Sequence, residues 1–444
     1  VKNKKLLLLF PFLLVTILSY SQKEWTLKEC VDHAMKNNIQ VKINELNVQV
    51  AEKDVKSNKG NFLPTLSVST GGALSTGSTF DPVTQNRTPN TTLFGGSLGV
   101  VSSYSVFNGY RNLNTYKQAK LGVERSKLDL EVIENDIALR VVNTYLNVLF
   151  AKENLEVAKV QADISKKQIE RAQAQFDTGA IPKGDLLNIK STAANDAQNV
   201  VTQENTLNIA LLNLSQLLQV DYEGFQVAKI EIGSPSSALL YSSSNEVYQK
   251  ALKTRPEIDK AKLNIENSNF AIEIAKSGYY PTVGLSLSAD SNYRYILDPS
   301  IPTGQFFDQL DGNLGYSLRF NVTIPIFNGF RNDANVERSK IQKLISEENL
   351  EVEKLQLKQT IEQAYLDAKA AAKTFEAASI SLESQDEAFK NAQASYEYGA
   401  MTRFDYDQVR NRLVNAKSAL IRAKFDYVFK TKVLKFYYGE NILD

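Results

Sequence analysis

From Thr26 to about Lys59 the chain holds neither proline nor glycine, and polar residues recur among Val, Ile, Leu and Ala as on an amphipathic helix. At Phe62 the period falls to two, with Leu66 and Val68 alternating with Thr65, Ser67 and Ser69. A polar stretch rich in Gly, Ser, Thr, Asp and Pro follows, including Asp81-Pro82 and Thr88-Pro89-Asn90, before alternation resumes around Leu98, Val100 and Tyr104. This reads as two strands joined by a long polar loop. The same pattern returns later and more cleanly. Leu314, Tyr316, Leu318, Phe320, Val322, Ile324 and Ile326 face one way, and Gly315, Ser317, Arg319, Asn321 and Thr323 the other. Four strands per chain are expected.

Beyond Gly109 the pattern becomes helical again. The stretch to about Asp177 has no proline and only Gly122, while Leu121, Leu128, Val132, Leu139, Val142, Leu146 and Leu149 fall at heptad-like spacing. About 69 residues at 1.5 Å each predict a helix of roughly 100 Å packed against other helices. Gly179 breaks it, and helix resumes from about Gly184 to Leu218. A second stretch, Asn245 to Lys276, completes the return over a similar length, interrupted by Val220 to Ser244.

The chain is written twice. Val106-Phe107-Asn108-Gly109-Tyr110-Arg111 returns as Ile326-Phe327-Asn328-Gly329-Phe330-Arg331, an offset of 220 (326 − 106). The same offset pairs Tyr145-Leu146 with Tyr365-Leu366, and Gly179-Ala180 with Gly399-Ala400. Upstream the offset is 217 (251 − 34), pairing Ala34 with Ala251 and Pro64 with Pro281. Two repeats are expected, residues 22–232 and 233–444, with the Ser-rich segment Ile232 to Asn245 as their seam.

Ahead of the first repeat, residues 1–21 read as a secretory signal peptide. Lys2, Lys4 and Lys5 precede the short apolar run Leu6 to Leu18, and Ser19-Tyr20-Ser21 offers a cleavage site. Cys30, the one cysteine, has no intrachain partner for a disulfide, and Lys28 and Glu29 before it do not suit lipidation. Lys and Arg total 51 against 50 Asp and Glu, which gives no electrostatic footprint for nucleic acid.

The strands carry the argument about location. Alternation of apolar with small polar residues suits a sheet with lipid on one side and water on the other. Four strands cannot close a barrel, and open edges are not tolerated in lipid, so several chains must pool strands. Three chains would supply about 12, an even number within the known range.

At this point the sequence resembles the TolC family of outer-membrane efflux proteins across nearly all of the mature chain. The duplicated order of helix, two strands, long helix, turn and helix is the family's layout. Pro325-Ile326-Phe327-Asn328-Gly329 resembles its strand-to-helix junction. Phe176-Asp177-Thr178-Gly179 with Asp185, and Tyr396-Glu397-Tyr398-Gly399 with Asp405, resemble its two periplasmic tips. The resemblance implies a mainly α fold with membrane β-strands: a homotrimer whose 12-stranded outer-membrane barrel continues into a long periplasmic α-helical barrel. It implies a passive conduit serving a periplasmic adaptor protein and an inner-membrane transporter, in a tripartite efflux pump or a type I secretion system. It also implies that Gly179 and Gly399 mark the turns an adaptor touches, that Asp405 rings the entrance, and that Asp185 and Tyr396 help to close it. Two positions depart from the family pattern. Gln408 stands where some members have a second tip acid, with Asp407 nearby, and Met401 stands where an arginine is expected, with Arg403 two positions on. The closing network is therefore expected to be rewired through Arg403 and Asp407.

Enzymatic readings find little to stand on. Gly179-Ala180-Ile181-Pro182-Lys183-Gly184 has the frame of a phosphate loop, but Asp185 follows where lysine is needed. His33 is the one histidine, so a paired-histidine zinc site is impossible. No catalytic residue, cofactor or metal is expected. The rival reading is a periplasmic coiled-coil scaffold without a membrane barrel, and a secreted enzyme is a distant third.

Overall fold

The computed structural model describes residues 24–80, 85, 87–229, 241–297 and 304–442. The expected signal peptide, the Asp81-Pro82 portion of the first loop and most of the seam lie outside the described residues.

The first helical stretch is two helices, α1 (Leu27–Asn37) and α2 (Ile39–Gly60). Thr26 starts α1 with a reciprocal cap: its hydroxyl accepts from Glu29 N–H, and the Glu29 carboxylate accepts from Thr26 N–H. The break at Asn38 was not expected. Asn38 is extended (φ −64°, ψ 131°) and buried, and its side-chain amide donates to the Leu217 carbonyl at 3.1 Å. The corresponding helices of the second half, α5 (Ser244–Thr254) and α6 (Pro256–Lys276), separate at Arg255, where the following proline disfavours helical backbone.

Strands β2 (Thr65–Phe80), β3 (Arg87–Asn108), β5 (Thr282–Ile296) and β6 (Gly315–Thr323) form one antiparallel sheet in the order β2-β3-β5-β6. The first hairpin departs from expectation. Its strands pair as far as Phe80 with Arg87, so Thr88-Pro89-Asn90 belongs to β3 and not to a loop. The register shifts between Gly77 and Thr79, opposite Pro89 and Asn90. A bulge there accommodates a residue that cannot donate to the ladder. In the second hairpin a short helix, α7 (Phe306–Gly312), stands between β5 and β6, and β6 ends before Ile324 and Ile326. A further pair, β1 (Glu24–Trp25) with β4 (Gln226–Val227), runs parallel and was not read from the sequence.

Helix α3 (Arg111–Asp177) and helix α8 (Arg331–Glu397) are each 67 residues long, and α4 (Lys183–Leu218) and α9 (Arg403–Tyr438) are each 36. Each pair starts 220 positions apart (331 − 111 and 403 − 183). At 1.5 Å per residue the long members extend roughly 100 Å.

The described residues divide into two compact units, both discontinuous in sequence. One draws on Gln40–Glu134 and Tyr248–Thr360 and contains the sheet. Within it Lys260 of α6 pairs with Asp129 of α3 at 2.6 Å, and Arg111 donates to Ser277 at 3.1 Å. The other draws on the described residues within Val1–Ile39, Asn135–Val247 and Ile361–Asp444. Its core gathers Val141, Val142, Tyr145, Val148 and Leu149 of α3 with Leu214 and Leu218 of α4. Tyr145 is fully buried, and its hydroxyl reaches the Trp25 carbonyl at 3.0 Å and the Ala228 carbonyl at 2.7 Å. Burial pushes that phenol well up from its ordinary value.

Candidate functional site: the two helical tips

Both tips lie within the second unit and are built alike. Gly179 closes α3 with φ +76°, and Gly399 closes α8 with φ +73°, a left-handed backbone that L side chains adopt only with strain. The Gly179 N–H donates to Phe176 O at 2.9 Å and Ala180 N–H to Gln175 O at 2.8 Å. Gly399 and Ala400 repeat the pattern on Tyr396 O (3.1 Å) and Ser395 O (2.8 Å). These paired bonds satisfy carbonyls that the helix end would leave orphaned. Behind the first tip Ala172, Leu186 and Ile189 form a small core, with Phe176 and Ile181 packed on it.

The return helices start differently. Pro182 precedes α4 without a side-chain cap, and Asp185 sits in the first turn, partly exposed. At α9 the Thr402 hydroxyl accepts from Asp405 N–H at 3.2 Å and donates to Asp405 Oδ2 at 2.6 Å. Asp405 is thus exposed, and its negative charge stands at a helix N-terminus, where the macrodipole favours it.

Three of the sequence-derived residues come together. Arg403 Nε donates to Asp407 Oδ2 at 2.8 Å, and Arg403 Nη2 donates to Gln168 Oε1 on α3 at 3.0 Å. Its guanidinium lies 5.7 Å from the Tyr396 ring and 5.3 Å from the Tyr406 ring, and those two rings stack at 4.9 Å. Gln168 Nε2 in turn donates to the Tyr406 hydroxyl at 3.3 Å. Burial pushes the Tyr406 phenol up, against the pull of Arg403 and Arg410.

Sequence reasoning missed the deeper half of this network. Arg410 of α9 is buried, and its Nη1 donates to Ser165 Oγ of α3 at 3.1 Å. The same nitrogen lies 3.5 Å from Asp196 Oδ2 of α4, an oxygen that also accepts from Ser165. Asp407 Oδ1 stands 3.9 Å from Arg410 Nε, beyond hydrogen-bond reach. Ser165, Gln168, Asp196, Tyr406 and Arg410 therefore join Tyr396, Arg403 and Asp407 in one cluster tying α9 to α3, α4 and α8. Asp405 and Asp185 do not join it among the described residues. Enclosed charges of this kind are costly and hold only with their partners in place.

Long helices with Gly-closed tips and a sheet whose strands alternate apolar and polar residues are the layout expected of an outer-membrane efflux protein. Comparison with known proteins agrees. The model of the outer membrane efflux protein family matches residues 30–219 and 247–439, and the chain belongs to that family. It is 24% identical over 415 residues to the outer membrane efflux protein BepC of Brucella suis, covering 92% of this chain and 84% of the relative. It is 22% identical over 373 residues to the outer membrane protein TolC of Escherichia coli, covering 76% and 73%. Among solved structures, the CmeC outer membrane channel of Campylobacter jejuni superposes with a TM-score of 0.76 at 20% identity, over 93% of this chain and 85% of that one. The outer membrane protein VceC of Vibrio cholerae gives 0.74 at 15% identity, over 94% and 96%. The chain is an outer-membrane exit channel for efflux or secretion.

Proposed function

We propose that three copies of this chain pool their sheets into a 12-stranded barrel in the outer membrane, each continuing into the periplasm through its long helices. The observation that carries this reading is the sheet itself. Strands β2 and β6 are its two edges, and their large apolar side chains are bare: Leu66 is 74% exposed, Leu318 70% and Phe320 66%. Bare edges and bare apolar faces are untenable alone, but both are satisfied when β2 of one copy pairs with β6 of the next in lipid. The helices flanking those edges support the same closure. Helix α2 leads into β2 with Ile39, Ile43, Leu46 and Val50 exposed at heptad spacing, and α8 follows β6 with Ile341, Leu344, Val352 and Leu355 exposed. Each stripe is half of a helix-on-helix seam.

In this reading residues 1–21 are removed on export, and residues 22–232 and 233–444 are two structural repeats. The protein is not an enzyme and holds no cofactor. Substrates pass through it without chemistry, driven by an inner-membrane transporter and delivered through a periplasmic adaptor that docks on the turns at Gly179 and Gly399. Asp405 faces the passage as a ring of three carboxylates. Tyr396, Arg403 and Asp407, with Asp185 beside a neighbouring copy, hold the entrance shut.

Extraction tests the barrel. The exported chain should leave the envelope only with detergent, run as a trimer, and conduct in planar bilayers. A half chain ending near Ser234 should neither trimerise nor conduct. Release of the full chain by osmotic shock would instead identify the periplasmic scaffold.

A further inference from the structure

The sheet carries little charge. Its four strands hold four charged residues, Arg87, Asp290, Arg294 and Arg319, and β2 holds none of them. Arg319 of β6 lies in one row across the sheet with Ser286 of β5, Ser103 of β3 and Thr65 of β2. Two positions along, the Ser288 and Ser317 hydroxyls are hydrogen-bonded at 2.8 Å, so the row belongs to the face that carries the small polar side chains. The whole row lines one open cavity where the sheet meets α2 and α3, and Arg319 is the one charged residue among those lining it.

No acid offsets this cation. Arg319 is exposed and makes no ion pair or hydrogen bond among the described residues. The one acid on the strands, Asp290, stands four positions beyond Ser286, about 13 Å away at the rise of a strand. That exceeds the screening length of about 8 Å at physiological salt. Arg294 is placed differently: its backbone N–H donates to Gln309 of α7 at 2.8 Å, and α7 brings Asp308 and Asp311 to that end of the sheet. When β6 meets β2 of the next copy, β2 adds no charge in any register. We propose that Arg319, repeated three times around the lumen, forms a ring that binds oxyanion groups, carboxylate or phosphate, on solutes in passage. A guanidinium offers paired N–H donors matched to such groups, and charges inside a barrel tune its selectivity. The inference rests on the three-copy barrel and deepens it by naming a class of cargo group. An arginine on an edge strand also deters stray strand pairing, a role that needs no anion.

The test uses the full-length chain in planar bilayers, with tripolyphosphate added to each chamber in turn and blockade of the current as the readout. Millimolar tripolyphosphate should block the wild type from at least one side. Arg319→Gln and Arg319→Ser should each weaken the block at least tenfold, Arg319→Lys should keep it within about threefold, and Arg294→Gln should change it less than twofold. No block of a conducting wild type, or an equal block of Arg319→Gln and Arg319→Ser, would overturn the proposal. Loss of the block in Arg319→Lys would show that charge is not what binds, and an equal loss in Arg294→Gln would move the site elsewhere; either result sinks it. If neither Arg319→Gln nor Arg319→Ser forms conducting trimers, the residue serves assembly at the sheet edge and the proposal falls. A wild type that forms no conducting trimer would instead overturn the pooled barrel, and this ring with it.

Discussion

Arg410 Nη1 on α9 stands 3.5 Å from Asp196 Oδ2 on α4, and Ser165 of α3 is hydrogen-bonded to both residues. Three helices thus meet through one buried guanidinium. Removing a single partner from such an arrangement typically costs about 3–5 kcal/mol, because the remaining charge stays buried. Asp196→Asn should therefore loosen the tip, seen as faster proteolysis near Gly399 and higher basal conductance. The double variant Arg410→Met/Asp196→Asn should be less destabilised than the two single effects combined. Strict additivity would show that the two residues are not coupled.

At Gly399 a Cβ would meet nothing within 4 Å, so any cost of substitution is backbone strain at φ +73°. Valine should lose about 1–2 kcal/mol there, whereas asparagine, which enters the left-handed region readily, should lose much less. Gly399→Val is expected to insert normally yet fail to export dye, and Gly399→Asn to export almost normally. Equal export by both variants would show that the turn geometry is irrelevant to docking.

Thr402 caps α9 and Asp405 charges its first turn, and two substitutions separate the roles. Asp405→Asn removes the charge and should abolish cation preference in planar bilayers, along with blockade by multivalent cations. Thr402→Ala removes the cap bonds to Asp405, a loss of about 1 kcal/mol, and should keep the cation preference. If both variants retain selectivity, another ring of charge controls the passage.

Lys430 Nζ of α9 donates to Asp367 Oδ2 of α8 at 2.8 Å, and that bond holds the Asp367 carboxyl below its usual value. A lowered carboxyl contributes stability that is fully present above its unfolded value and is lost as pH falls through the folded one. The pair is partly exposed, so its contribution is modest, about 0.5–1 kcal/mol. Thermal melts of the wild type and Asp367→Asn should differ at pH 7 and converge below about pH 4. A gap that persists in acid would assign the effect to packing.

The long helices were legible because their signal is local: an unbroken absence of Pro and Gly, ended by glycines that the left-handed turns require. The strands were legible from their period of two, but not their ends. β3 continues through Pro89, because a bulge absorbs the residue that should have stopped it. The break at Asn38 was invisible, since its extended backbone is secured by the Leu217 carbonyl 179 residues away. The tip cluster was half legible. Glycines and acids stood out near the turn, whereas Arg410, Ser165 and Asp196 read as a solvated helix face until three helices are brought together. One signal was available: Arg410 falls at helical spacing between the buried Tyr406 and Leu413, on a stripe where a charge needs partners.

The equal lengths of α3 and α8, and of α4 and α9, tie the two halves of the gene to one ruler. Each residue added to one long helix advances its tip by 1.5 Å and turns it by about 100°. A deletion confined to α3 would leave its turn short of the one at Gly399 and its apolar stripe facing a new direction. A seven-residue deletion nearly restores the facing but still shortens that hairpin by about 10 Å. Viable changes of length in this chain must therefore come in pairs, one in each half, which makes the duct adjustable only in steps shared by both repeats.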